Sequence, residues 1–231
     1  MARLPVEYSF PPLEAASPEG LLAIGGDLNP DRLLSAYRRG IFPWFSQGQP
    51  ILWWSPDPRA ILYPETIRIS RSLRRSLRSG EFTVTADRAF ASVIAQCAKS
   101  RADQDGTWIT PGMIDAYESL HHLGHAHSIE TWCDDQLVGG LYGIAIGKAF
   151  FGESMFTRVS DASKIALVGL SKILAEADYH FIDCQVRSDH LESLGAESIA
   201  RADFSRALAD AVERPEDAAL WQFEVAAEDL I

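Results

Sequence analysis

LVGGLYGIAIGKAFFGESMF, residues 137–156, decides the fold. Two apolar runs rich in aromatic and β-branched residues, 137–146 and 149–156, flank Gly147-Lys148, a pair suited to a hairpin turn. Just upstream, HSIETWC (127–133) reads as another strand. Downstream, a helix follows Ser160-Asp161, and its apolar residues Ile165, Leu167, Val168, Leu170, Ile173 and Leu174 face most directions, as in a buried helix. FIDCQV (181–186) then reads as a short strand. Strands, a helix and a strand again predict an α+β or α/β layered fold.

Polar residues inside these apolar strands are the first candidates for chemistry. Alternation puts Asp183 and Gln185 on one face of FIDCQV, and Ile182, Cys184 and Val186 on a core-facing side. Glu153 stands alone in FFGESMF. Such groups need hydrogen-bond partners or a function, and either reading is open at this point.

Outward from this centre, Thr110 and Pro111 open a helix that Gly124 ends, with Met113, Tyr117 and Leu120 as its apolar stripe. A helix near 86–98 buries Phe90, Val93, Ile94 and Cys97, which makes Cys97 a core residue. SRSLRRSLRSG (70–80) predicts a helix with Arg71, Arg74, Arg75 and Arg78 in an arc of about 100° and Leu73 and Leu77 opposite. Within this helix no acid lies three or four residues from these arginines. They are either a solvated face or a phosphate-binding one. A further helix is expected near 203–213. The first 57 residues, rich in Pro and Gly, read as a small separate unit. Their one marked helix is capped by Asn29, has Pro30 in its first turn, turns Leu33, Leu34 and Tyr37 inward and stops at Gly40. Pro56 and Pro58 around Asp57 predict a stiff, extended linker, so the boundary is placed between 57 and 58.

Composition sets the outer limits. At 231 residues, 47% hydrophobic and 23% charged, the chain is an ordinary globular mixture. No apolar run approaches a membrane span, and MARLPVEYSFPP has no signal-like apolar core. The three cysteines, Cys97, Cys133 and Cys184, make neither a disulfide framework nor a CxxC metal pattern, which suits a reducing cytosol. The net charge of −11 argues against nucleic acid, but residues 59–101 hold nine bases against three acids. His121, His122, His125 and His127 cluster without an HExxH pattern, and Gly124 interrupts their helical spacing, so no metal is expected. GGDL (25–28) and GGLYGIAIG (139–147) match no nucleotide-phosphate loop. Trp44, Trp53, Trp54 and Trp108 are core residues or base-stacking platforms.

With these residues assembled, the chain resembles the leucyl/phenylalanyl-tRNA–protein transferase family. The resemblance runs through residues 21–60, 106–132, 137–156 and 181–201, in order. It implies a small N-terminal domain (1–57) and a larger acetyltransferase-like (GNAT-like) domain (58–231) with a mixed central sheet, an α+β arrangement. It implies transfer of Leu or Phe from aminoacyl-tRNA to the N-terminal Arg or Lys of proteins, through an apolar pocket that a Met side chain can also fill. The product would enter N-degron proteolysis. Glu153, Asp183 and Gln185 match the reaction centre. Trp44, Trp108, Tyr37 and Tyr117 match positions near the aminoacyl-adenosine end. Leu141, Leu170 and Leu174 would line the side-chain pocket, and Arg71, Arg74, Arg75 and Arg78 match a tRNA-binding helix. The implied enzyme is a cytoplasmic monomer with neither cofactor nor metal.

Aminolysis of an activated ester needs positioning, a neutral amine and stabilisation of an oxyanion. An N-terminal amine, with a pKa near ~7.7–8.0, is already partly neutral. Asp183 is expected either to accept a proton or to orient Gln185, and Glu153 to pair with the ammonium of donor or acceptor. A non-catalytic RNA-binding module would explain the arginines and tryptophans but not these acids. An acetyl-CoA acetyltransferase would need a Gly-rich loop where FTRVSDASK (156–164) has no glycine.

Overall fold

The computed structural model describes residues 8–102 and 108–231, the side chains of 101 and 102 excepted. The reading of residues 1–7, the Arg101 side chain and the first residues of the 106–132 stretch lie outside it.

Two sheets organise the chain. The smaller contains β1 (Leu21–Ile24), β2 (Phe42–Pro43) and β3 (Leu52–Trp54) in the order β1-β3-β2, with helix α1 (Pro30–Tyr37) between the first two in sequence. Asn29 caps α1 through the Asp31 N–H, as the sequence predicts. The larger sheet begins with β4 (Arg59–Leu62). Helix α2 (Arg71–Leu77) follows, then β5 (Thr83–Ala86), α3 (Phe90–Ala102) and α4 (Pro111–His122). Next come β6 (Ala126–Cys133), β7 (Gln136–Ile146), β8 (Ala149–Thr157), α5 (Ala162–Glu176) and β9 (Phe181–Gln185). The chain closes with α6 (Asp189–Ser193), β10 (Glu197–Ile199), α7 (Arg201–Ala211) and β11 (Glu224–Ala226).

The eight strands run β10-β4-β9-β8-β7-β6-β5-β11, all antiparallel except the parallel pair β8–β9. The central sheet is therefore mixed, and α5 is the crossover that its one parallel pair requires. Period-two alternation divides the strand residues between two cores. Ile61, Tyr142, Phe151 and Phe181 pack with α1, α3, α4 and α7 on one face. Leu62, Leu141, Phe150 and Ile182 pack with α2 and α5 on the other. Gly139 lets α5 close on the sheet, because a Cβ there would lie 2.5 Å from the Ala162 Cβ. The small unit has its own sheet, but Phe10, Leu22, Leu33, Tyr37 and Trp53 join the α3–α4 core.

Three sequence expectations need correction. Residues 56–58 are not an extended linker: the chain bends there with a cis Asp57–Pro58 peptide, and β4 begins at the next residue. The bend is held by Arg201, whose N–H donates to the Asp57 carboxylate at 3.0 Å and whose guanidinium donates to the Ser55 carbonyl at 2.7 Å. The helix expected near 86–98 begins at Phe90, because Val84–Ala86 belong to β5 and Asp87 turns with φ +54°. Val186 is 46% exposed rather than core, because β9 ends before it.

Candidate active site

The ladder between β8 and β9 ends at Phe151↔Asp183, although β8 continues to Thr157. Where these parallel strands part, a cavity of about 490 Å³ opens between them. Its apolar wall comes from Leu141 and Phe150 on the sheet, Leu167 and Leu170 on α5, and Ile182. Trp44 and Trp108 border it with ring centroids 6.0 Å apart, and Trp54 backs Trp44 at 5.8 Å. Trp53 is a core residue, 1% exposed.

Glu153 reaches this gap through a β-bulge. Tyr142 pairs with Ser154 and Gly143 with Gly152, which leaves Glu153 without a partner on β7. A side chain at Gly143 would put its Cβ 2.2 Å from the Phe151 carbonyl oxygen, so the bulge needs glycine opposite. Tyr37 from α1 donates to Glu153 Oε1 at 2.7 Å, and Tyr117 from α4 donates to Oε2 at 3.0 Å. The two tyrosine hydroxyls are also in hydrogen-bond contact with each other. Gln185 Nε2 donates to Glu153 Oε1 at 2.7 Å. Burial raises the Glu153 pKa to about 7 against these three donors. Burial likewise pushes both tyrosine hydroxyls well above their usual range, so they stay protonated.

Asp183 sits differently. It is fully buried and gripped by Arg59, with Nε donating to Oδ1 at 2.8 Å and Nη2 to Oδ2 at 2.6 Å. Arg59 is also fully buried. It donates to the Gly40 carbonyl at 3.0 Å, with Phe42 and Phe204 rings 4.8 and 4.7 Å from its guanidinium carbon. Asp183 Oδ1 also accepts the Gln185 backbone N–H at 2.9 Å. Gln185 has φ +64°, and the Val186 N–H closes a tight turn onto the Cys184 carbonyl at 2.7 Å. The Gln185 side chain thus meets Glu153 while its backbone N–H stays on Asp183. Burial raises the Cys184 thiol pKa far above its ordinary value, so this cavity-lining thiol stays protonated.

The sequence candidates thus divide. Glu153, Gln185, Trp44, Trp108, Leu141 and Leu170 border the cavity. Tyr37 and Tyr117, expected at the aminoacyl-adenosine end, are fully buried behind Glu153 and are not part of the cavity lining. Leu174 belongs to the core behind the cavity, and Leu167, one turn the other way, lines it with Leu170. Arg71, Arg74, Arg75 and Arg78 are exposed on α2, with no ion pair among the described residues, while Leu73 and Leu77 are buried. Ser70 caps this helix, and Ser76 donates to Asp161 at the start of α5 at 2.9 Å. The histidines diverge: His121 stacks on Phe90, His127 stacks on Trp221 and bonds Asp87 at 2.7 Å, and His122 bonds the Glu118 carbonyl.

Sequence reasoning missed Arg59, Met155, Leu167, Arg187 and His190. All but Arg59 border the cavity. Arg59 had one usable signal: a buried carboxylate at 183 demands a cation, and Arg59 opens the apolar run RAIL (59–62).

Known proteins match most of the chain. Residues 61–209 match the family described as Leucyl/phenylalanyl-tRNA protein transferase, and residues 26–57 match that family's N-terminal domain. A leucyl/phenylalanyl-tRNA–protein transferase of Nitrosomonas eutropha is 56% identical over 93% of this chain and 93% of its own. One of Stutzerimonas stutzeri is 57% identical over 94% of this chain and 96% of its own. Among solved structures, L-PGS from Bacillus licheniformis has a TM-score of 0.41 at 11% identity, covering 69% of this chain and 51% of that one. With both parts of the family matched and more than half of all positions shared with full-length relatives, the chain is a transferase belonging to the leucyl/phenylalanyl-tRNA protein transferase family.

Proposed function

We propose that the chain transfers Leu or Phe, and Met as well, from aminoacyl-tRNA to the N-terminal Arg or Lys of acceptor proteins, marking them for N-degron proteolysis. The observation that carries this reading is the cavity between β8 and β9. In this cavity of about 490 Å³ an apolar wall meets a carboxylate and a carboxamide, with Trp44 and Trp108 at the border to stack on the terminal adenosine. The reaction is aminolysis of the ester, assigned here without cofactor or metal. Leu141, Leu167 and Leu170 hold the donor side chain, Gln185 positions the reacting ester, and Asp183 orients Gln185. The exposed arginines of α2 meet tRNA phosphates.

The division into residues 1–57 and 58–231, with an acetyltransferase-like larger domain, belongs to the same reading. The smaller sheet lies within 21–54, and the parallel pair parts to make the site in the larger one. A cytoplasmic monomer suits these substrates. Among the described residues, no helix is long and apolar enough to cross a membrane.

The test is a one-pot assay offering leucyl-tRNA, phenylalanyl-tRNA or acetyl-CoA with an Arg-initiated peptide. Peptide extended by Leu or Phe is the expected product. An acetylated peptide, or tRNA binding without any product, would replace this reading.

A further inference from the structure

Glu153, Tyr37 and Tyr117 form a closed ring of three contacts: Tyr37 to Oε1, Tyr117 to Oε2, and hydroxyl to hydroxyl. Each contact needs one proton between its two oxygens. The two hydroxyls supply two. With Glu153 ionised, both can point at the carboxylate and the contact between them goes unfilled. With Glu153 protonated, Oε2 donates to Tyr117, Tyr117 to Tyr37, and Tyr37 to Oε1, while Gln185 still donates to Oε1. The ring is a built vacancy for one proton, and its carboxylate borders the cavity.

Asp183 offers no such vacancy. Both its oxygens are occupied by Arg59, Oδ1 takes the Gln185 N–H as well, and the group is fully buried. Protonating it would strand the Arg59 charge in the interior. From these two arrangements we infer that Glu153 is the group that accepts the proton from the attacking acceptor amine, and that Arg59 is a positioning residue that keeps Asp183 out of that role. This rests on the transferase reading above.

The step balances. The neutral amine attacks the ester carbonyl carbon, and a C–N bond forms. The surplus N–H proton passes to the Glu153 carboxylate. The C–O bond to the ribose then breaks, and the departing oxygen takes the proton back from Glu153. Tyr37 and Tyr117 are positioning residues that complete the ring. Arg59 acts through a chain: it fixes Asp183, Asp183 fixes the Gln185 N–H in its left-handed turn, and Gln185 reaches Glu153. The charged or titratable groups around Glu153 are Tyr37 on α1, Tyr117 on α4, Tyr142 on β7, Asp183 on β9 and Arg59 on β4, with Arg187 and His190 on the cavity border. The pKa of Glu153, near 7, suits a group that takes and returns a proton.

The experiment is the pH profile of single-turnover transfer from leucyl-tRNA to an Arg-initiated peptide. The wild type should show a limb near pH 7 beside the amine limb near ~8. Glu153→Gln should lose the first limb and slow about 10²–10⁴-fold. Tyr37→Phe opens the ring and removes a donor to the carboxylate, so its limb should move along the pH axis. The pair variant Arg59→Met with Asp183→Asn should keep the limb and lose no more than about tenfold, the cost of a looser Gln185. Circular dichroism and melting establish that each variant is folded. Should the pair variant misfold, the Tyr37→Phe shift decides alone. A folded pair variant slowed a thousandfold, an unchanged limb in Glu153→Gln, or an unmoved limb in Tyr37→Phe would overturn the inference. Absence of wild-type transfer from any aminoacyl-tRNA would instead overturn the transferase reading.

Discussion

Asp183→Ala should destabilise the protein, and the size of the loss follows from what Arg59 retains. The substitution deletes two charge-assisted hydrogen bonds, at 2.8 and 2.6 Å, and leaves a fully buried guanidinium without its anion. Breaking one side of a buried pair costs about 3–5 kcal/mol. The Gly40 carbonyl and the rings of Phe42 and Phe204 still face the cation, which holds the loss towards the lower end. Freeing the Gln185 N–H adds about 1 kcal/mol. A loss of about 4 kcal/mol corresponds to a fall in Tm of about 8–16 °C at this chain length. Arg59→Met with Asp183→Asn removes both charges and keeps an acceptor for the N–H, so it should melt above Asp183→Ala. Urea unfolding of wild type, Arg59→Met, Asp183→Asn and the pair gives the coupling energy, expected to exceed about 2 kcal/mol. An Asp183→Ala protein melting within about 2 °C of wild type, or a pair variant less stable than either single one, would refute the reasoning.

Other outcomes follow from the same geometry. Replacing Arg71, Arg74, Arg75 and Arg78 by Ala should weaken tRNA binding and flatten its salt dependence by about 0.7–0.9 per lost phosphate contact, while transfer from a short aminoacyl-adenosine donor stays nearly unchanged. Leu170→Ala enlarges the cavity and should shift competition between leucyl- and phenylalanyl-tRNA towards Phe, within the ~1–3 kcal/mol a pocket of this kind can discriminate. Leu174→Ala should leave that ratio alone and cost about 2–5 kcal/mol of stability, read by urea unfolding. Because the folded-state pKa of Glu153 is raised to about 7 from 4.5, the native state binds the extra proton and stability falls as pH rises from about 5 to 7. Glu153→Gln should reduce that slope in melts across this range.

Much of the site is legible in the sequence because apolar strands expose their polar exceptions. Glu153, Asp183 and Gln185 stand out in FFGESMF and FIDCQV, and all three belong to one hydrogen-bonded group. Alternation fails from Gln185 onward, because its left-handed φ of +64° leaves no trace in residue type. It also fails at Glu153, where the bulge adds a residue that strand periodicity cannot foresee. The helices α2, α4 and α5 are legible from caps and stripes. Strands β1 to β3 span two to four residues each, too few to show a period. Strand β5 was missed, although Thr83-Val84-Thr85 is β-branched throughout, because it lies at the foot of the helix expected from 86. Long-range pairs such as Arg59–Asp183, 124 residues apart, are set by which strands become neighbours, which a local reading of the chain does not supply.

The order of strands in the larger sheet also bears on how the protein behaves at high concentration. A sheet edge is a template for pairing with another chain, and long flat edges invite aggregation. Here both outermost strands, β10 and β11, are three residues long. Strand β10 is bounded by Gly195 on one side and by α7 on the other, and β11 runs straight into a closing 3-10 turn at Ala227–Leu230. An incoming strand would find only a few backbone groups before the ladder stopped. The long strands β6, β7 and β8, whose apolar runs would be the hazard, lie in the middle with both sides paired. Loss of β11 by truncation would uncover β5, and with it the alternating face of Thr83, Val84 and Thr85, turning a protected interior strand into an adhesive one.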